Sequence, residues 1–291
     1  MEAATEAECL PCDAGHYCAE ASPAPTQCAP GTYANSTGNP SCGSCPAGKF
    51  QALSGATNCT EVDAGHYSLS HSYVQLKCAP GTYSSLPGQK VCTSCSAGKH
   101  QSSSGQTKCD SSPKGAYCLD KASAPTLCPE GTYRNITGGK SPGDCLPCPA
   151  GSACAAGAKE AVACALGSFS TGGDATCRIC SAGSYQDDPG QTACKACTDG
   201  TYCTTGATAA LPCLAGTYSN MSGLARAREC TDCPRGSACS TGSTAHVKCA
   251  PGTIAPAPKA KLCSMCASGK FQDAAGQTEC KGCKPGCKPI F

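Results

Sequence analysis

The sequence predicts a chain of small disulfide-rich repeats, an elongated rod of irregular loops and short β-hairpins with little or no helix. Three observations predict it. Of 291 residues, 32 are Cys, a share typical of disulfide scaffolds. Those Cys fall into two modules that recur along nearly the whole chain. Large apolar side chains are scarce: Trp is absent, and Tyr and Phe number only 10 and 4. Burial of apolar area is what ordinarily stabilises a core. Covalent bridges are expected to take over that role here.

The long module reads C-x2-C-x5-C-x9-C and starts at Cys9, Cys59, Cys109, Cys145, Cys194 and Cys230, with a stub at Cys280. The short module reads C-x2-C-x13 and starts at Cys42, Cys92, Cys177 and Cys263. After an N-terminal segment, 1–8, this divides the chain into cysteine-rich repeats 9–58, 59–108, 109–144, 145–193, 194–229 and 230–279, with a partial repeat at 280–291. The chain begins and ends within a module, as a segment of a longer repeating protein would. MEAATEAEC has neither the basic start nor the apolar stretch of a signal peptide.

The loop text repeats as well. CAPGTYANSTGNPSC, CPAGKFQALSGATNC and CSAGSYQDDPGQTAC share a Cys, two residues, Gly, one residue, an aromatic, a glycine-bearing turn and a closing Cys. The first Gly is expected to supply a positive φ for a tight turn. Twelve aromatics, among them Tyr33, Phe50 and Tyr185, hold the Gly-x-aromatic position. Each is expected to lie over the neighbouring disulfide as a miniature core, because one per loop at a fixed offset is the mark of packing. Helical periodicity is absent, and short hairpins at these segments are the most regular structure expected. A unit that touches mainly its neighbours builds a quasi-one-dimensional rod.

Connectivity does not follow from spacing alone. The repeat favours neighbour pairing, because that scheme tolerates the losses seen in individual modules. The long loops would be closed by Cys28–Cys42, Cys45–Cys59, Cys78–Cys92, Cys95–Cys109, Cys128–Cys145, Cys164–Cys177, Cys180–Cys194, Cys213–Cys230, Cys249–Cys263 and Cys266–Cys280. The small loops would be closed by Cys12–Cys18, Cys148–Cys154, Cys197–Cys203 and Cys233–Cys239, with Cys283–Cys287 as a shorter version. In the second long module both small-loop positions change together, to Val62 and Ser68. The third keeps Cys118 but has Ser112 opposite it, which leaves Cys118, like Cys9, unpaired or bonded to another molecule. A crossed pairing is the alternative.

Composition excludes other classes. The net charge is +2 and the basic residues are scattered, which argues against nucleic acid as a partner. No stretch is long and apolar enough to span a membrane. Zinc would need paired C-x2-C motifs, and Cys42, Cys45 and Cys59 lack a second pair. The five His (His16, His66, His71, His100 and His246) are not at ligand spacing, so no metal or cofactor is expected. No nucleophile elbow, metal motif or phosphate loop is present, so no enzyme is expected. Three N-x-[ST] sequons, at Asn35, Asn135 and Asn220, each lie seven residues after a loop-opening Cys. A shared position in a solvent-facing turn makes them candidate N-glycosylation sites. A fourth match, at Asn58, has loop-closing Cys59 as its middle residue and is expected to be silent.

The repeated C-x-x-G-x-[YF]…G…C-x-x-C text resembles ephrin-receptor-like cysteine-rich repeats, and it is similar to the Cys-rich modules of tumour-necrosis-factor and growth-factor receptors. The Ala, Thr and Ser filling resembles protist surface proteins, including ciliate immobilisation antigens, and the cysteine-rich regions of flagellar-hair (mastigoneme) proteins. The resemblance implies an extracellular or cell-surface location and a loop-built fold; it transfers no functional residue. Departures stand at Val62, Ser68 and Ser112, and at Ala153 and Ala238 in place of the aromatic. Uniform repetition is expected of a non-enzymatic structural glycoprotein, a building block of a fibre, flagellar hair or surface coat. Its partners would be itself or other surface proteins, with covalent glycans. The alternative is a receptor or adhesin stalk that binds a protein or glycan; Tyr73 and the basic pair Arg226 and Arg228 are its candidate contacts.

Overall fold

The computed structural model describes residues 10–284, and in it nearly all regular structure consists of two-residue strands. These pair into sixteen two-stranded sheets that follow one another in chain order. The helical elements among the described residues are two three-residue 3-10 turns, Pro142–Asp144 and Ala227–Glu229. The chain is therefore a disulfide-rich, largely helix-free array of hairpins.

Most hairpins are built from the C-x2-G-x-[YF] text, with His100, Ala153, Ala238 or Ile254 in place of the aromatic in four of them and Val62 or Ser112 in place of the Cys in two. In the first, the His16 N–H donates to the Asp13 carbonyl at 3.0 Å, with Gly15 at φ 85° between them. That is a type II turn, which requires positive φ at its third residue. The strand leaving the turn pairs antiparallel with the one that precedes the next glycine motif, as in His16↔Gln27 and Tyr17↔Thr26. We call each hairpin a rung and name it by its glycine. The rung glycines are Gly15, Gly31, Gly48, Gly65, Gly81, Gly98, Gly115, Gly131, Gly151, Gly167, Gly183, Gly200, Gly216, Gly236, Gly252 and Gly269, all at positive φ. They are 16 or 17 residues apart, except for two steps of 20 that carry the 3-10 turns. The structural period is thus finer than the modules of the sequence: a long module is two rungs and a short module is one.

Backbone bonds tie each rung to the next. The Gly31 N–H donates to the Gln51 carbonyl at 2.7 Å, and the Gly31 carbonyl accepts from the Cys45 N–H at 2.9 Å. A third contact reaches one rung further. A Cβ added to Gly31 would stand 2.4 Å from the His71 carbonyl oxygen, and one added to Gly151 would stand 2.0 Å from that of Gly190. Both positive φ and close approach therefore demand glycine here. The chain divides into two compact units, Met1–Pro129 with Tyr133–Leu146 and Ala156–Glu160, and Glu130–Thr132 with Pro147–Ala155 and Ala161–Phe291. The same rung pattern recurs inside each.

The interior is sulfur. Three residues before each rung glycine stands a Cys, replaced only by Val62 and Ser112; all but Cys266 are buried. Three residues after each glycine stands a second column, filled by Cys, Ser, Gln, Ala or Arg134, also mostly buried. Large aliphatic side chains lie mainly outside, including Leu53, Val91 and Ile179; only Val62 and Leu224 are buried among the described residues.

Among the described residues, fourteen disulfides join neighbours along the chain. Ten close loops with separations of 13 to 17: Cys28–Cys42, Cys45–Cys59, Cys78–Cys92, Cys95–Cys109, Cys128–Cys145, Cys164–Cys177, Cys180–Cys194, Cys213–Cys230, Cys249–Cys263 and Cys266–Cys280. Four close loops with a separation of 6 and link the two buried columns: Cys12–Cys18, Cys148–Cys154, Cys197–Cys203 and Cys233–Cys239. Cys283 has no partner among the described residues; Cys287, its expected partner, lies outside them, as does Cys9.

Candidate functional site

The rung sets where every side chain can act. The three sequon asparagines fall at one place, four residues after the rung glycine and directly after a buried residue of the second column. Asn35 follows Ala34, Asn135 follows Arg134, and Asn220 follows Ser219. Each Asn is exposed, as are the hydroxyl residues Thr37, Thr137 and Ser222 that complete the sequons. Asn58 is exposed too, but its neighbour Cys59 is bonded to Cys45 and its carbonyl accepts from the Gln51 side chain at 2.9 Å.

Cys118 is unbonded and fully buried. It has no exposed sulfur with which to bridge a second chain. Across the rung, the Ser112 hydroxyl is buried without a hydrogen-bond partner among the described residues.

The aromatics at the Gly-x-aromatic position are half-buried from Tyr17 to Tyr218, whereas Phe271 is exposed. Tyr202 packs on Leu224 and on Cys213 and Cys230, which are bonded to each other. The Tyr218 ring meets His246 edge-on at 5.5 Å. Tyr73, Arg226 and Arg228 are exposed but lie at separate places in the array. The first belongs to the loop after the Gly65 rung, and the other two flank and enter the second 3-10 turn. No group of three or more His, Cys, Asp or Glu is gathered at metal-ligand distance among the described residues. No helix of the described residues is long and apolar enough to cross a membrane.

The second column holds polar devices that spacing did not reveal. Buried Gln101 donates through Nε2 to the Lys108 carbonyl at 2.9 Å, while its Oε1 accepts from the Ser103 N–H at 3.0 Å. Gln51, Gln186 and Gln272 repeat this staple in their own rungs. The recurring text G-x-[FYH]-Q was its only signal.

Charges on the surface are paired locally. Two backbone N–H donors, from Lys140 and Ser141, hold the Asp144 carboxyl below its usual value. A hydrogen bond from Ser170, with Arg178 beside it, does the same for Asp174. Hydrogen bonds from Lys195 and Lys281 lower Asp187 and Asp273 respectively, and Lys195 is raised in turn by Asp187 and Asp188. The two lysine contacts are exposed loop pairs of the kind that contributes little, whereas the Asp174 side chain is only 14% exposed.

Two crevices occupy the same place in the array. One, of about 300 Å³, lies between the Gly81 and Gly98 rungs; the other, of about 460 Å³, lies between the Gly167 and Gly183 rungs.

Comparison with known proteins agrees with this reading over part of the chain. Residues 167–210, which hold the Gly167, Gly183 and Gly200 rungs, match the family model described as tyrosine-protein kinase ephrin type A/B receptor-like. No curated protein matches the chain. The chain is thus a disulfide-rich, cysteine-rich repeat protein carrying an ephrin-receptor-like segment.

Proposed function

We propose that this chain is a non-enzymatic extracellular structural glycoprotein, a building block of a fibre, flagellar hair or cell-surface coat. One observation carries the proposal: the same rung recurs along the array, and from Gly15 to Gly236 each rung glycine closely approaches a carbonyl oxygen two rungs on. A unit that bonds only to the next two rungs can be repeated without limit. Fourteen disulfides favour an oxidising compartment, at the cell surface or outside it. N-glycans at Asn35, Asn135 and Asn220 would keep a surface rich in exposed aliphatics soluble.

The test is the light-scattering mass of native, unreduced protein, with electron microscopy of the same sample. Filaments or large assemblies are expected. A strictly monomeric species at all concentrations would contradict the fibre role. A mass shift on enzymatic removal of N-glycans, lost in the Asn35→Gln, Asn135→Gln, Asn220→Gln triple variant, tests the glycan sites.

The match at 167–210 favours a second reading, a receptor or adhesin stalk. A monomer that binds cells or a purified ligand would support it over the first.

A further inference from the structure

The crevice between the Gly81 and Gly98 rungs is lined by Tyr83, Thr93, Ser94, Ser96, Lys99, Lys108 and Cys109. Its counterpart five rungs later is lined by Phe169, Arg178, Ile179, Ser181, Ser184 and Ala193. The fold that makes the cleft is the same; the chemistry differs. The first offers a half-buried ring, three hydroxyls and two ammonium groups, and no carboxylate lines it. The second offers a single cation, two hydroxyls and the apolar Phe169, Ile179 and Ala193.

Those two ammonium groups are free. In the Gly48 rung the lysine equivalent to Lys99 is neutralised: Lys49 lies 3.4 Å from Glu61. In the Gly98 rung, Ser111 stands where Glu61 would be. Asp110 pairs across from His100 and does not line the crevice. Lys99 and Lys108 have no ion partner among the described residues. The loop is also held in place, since buried Gln101 fixes the backbone of Lys108 at 2.9 Å. Two unneutralised cations beside an aromatic ring and three hydroxyls suit a ligand that carries an anion on a hydroxylated, C–H-faced ring.

We propose that this crevice binds an acidic sugar unit of a glycan, with a sulfate or carboxylate group at Lys99 and Lys108. The C–H face of the ring would lie on Tyr83, and the sugar hydroxyls would meet Thr93, Ser94 and Ser96. The site does not require the chain to build a fibre.

The experiment titrates the full chain by calorimetry with three probes: a sulfated heparin-derived disaccharide, an unsulfated uronic-acid disaccharide and a neutral disaccharide. One or both acidic probes are expected to bind, the pair showing whether sulfate or carboxylate is preferred, and added salt should weaken binding. The Lys99→Ala, Lys108→Ala double variant should lose about ten-fold or more in affinity, and Arg178→Ala should lose none. Bound acidic disaccharide should also protect Lys99 and Lys108 from acetylation, a readout that needs no variant. Three results would overturn the proposal: no binding of either acidic probe, equal affinity for the neutral one, or unchanged affinity in the double variant. Binding of a poly-glutamate peptide in place of the sugars would also overturn it, by making the crevice a protein contact.

Discussion

The Gly65 and Gly115 rungs both lack the small-loop disulfide, yet their interiors differ. In the Gly65 rung both sulfurs are replaced by groups that fit. Val62 is fully buried, and the Ser68 hydroxyl donates to the Lys49 carbonyl at 3.0 Å and accepts from the Gly48 N–H at 3.1 Å. In the Gly115 rung only one sulfur is replaced. Buried Cys118 faces buried Ser112, whose hydroxyl has no partner among the described residues. The backbone is indifferent to all this. Val62 and Ser112 make the same two bonds as Cys148 in a bridged rung: each N–H reaches the preceding rung glycine, and each carbonyl accepts from the turn of the following rung, at 2.8 to 3.1 Å. The small-loop disulfide therefore does not shape the rung. Its contribution lies in restraining the unfolded chain, and the glycine contacts do the shaping.

The largest expected effect tests that division. Gly115→Ala would drive a Cβ to 2.2 Å from the Gly157 carbonyl oxygen, and Gly65→Ala would do the same at Gly105. Adding this overlap to the strain of positive φ, each should cost about 4 kcal/mol. Calorimetric melting should show equal losses in the two rungs, and a tolerated substitution would break the comparison.

Next in size is the repair of the poorer rung. Ser112→Cys places a second sulfur opposite Cys118, in a frame whose four bridged equivalents have Cα–Cα distances of 5.8 to 6.2 Å. A new disulfide should form and raise stability by about 2 kcal/mol. Loss of the Cys118 thiol in a titration under denaturing conditions checks the bond, and the melting temperature checks the gain.

Smaller effects sharpen the contrast. Val62→Ala should cost roughly 2 kcal/mol and Ser68→Ala roughly 1 kcal/mol in chemical denaturation. Ser112→Ala, which removes a hydroxyl that no group satisfies, should leave stability unchanged or raise it. A loss there as large as that of Val62→Ala would mean that the Ser112 hydroxyl is bonded after all.

The smallest effect is electrostatic. The Asp144 and Asp174 carboxyls are held below their ordinary value of 3.8. A depressed folded pKa contributes stability that is present above the unfolded value and lost as pH falls through the folded one. Hydrogen exchange in the loops that hold these two residues should therefore quicken as pH drops below that ordinary value, once corrected for intrinsic rates. Asp144→Asn and Asp174→Asn should remove the dependence.

The fold class was legible because cysteine spacing and the scarcity of large apolar residues leave little else that could fill an interior. The rung period was not. Counting from Cys to Cys divides the chain into long and short modules, while the element that recurs evenly is the glycine after each C-x2. Val62 and Ser112 hide two of those positions from a cysteine count. The exposure of Asn35, Asn135 and Asn220 could be read from their common offset. The crevice at Tyr83, Lys99 and Lys108 could not, because only the contact between rungs brings residues 83 and 108 together. Nor could the Gln101 staple, since a polar residue in a loop carries no signal of burial until the second column is known.

The most direct test of a sulfur-filled, neighbour-bridged array is disulfide mapping of the native chain by mass spectrometry without reduction. The account predicts bridges between chain neighbours, such as Cys28–Cys42, Cys45–Cys59 and Cys148–Cys154. It also predicts a Cys118 thiol that alkylates only after denaturation. Bridges that cross between rungs, or a bond from Cys118 to Cys109 or Cys128, would contradict it.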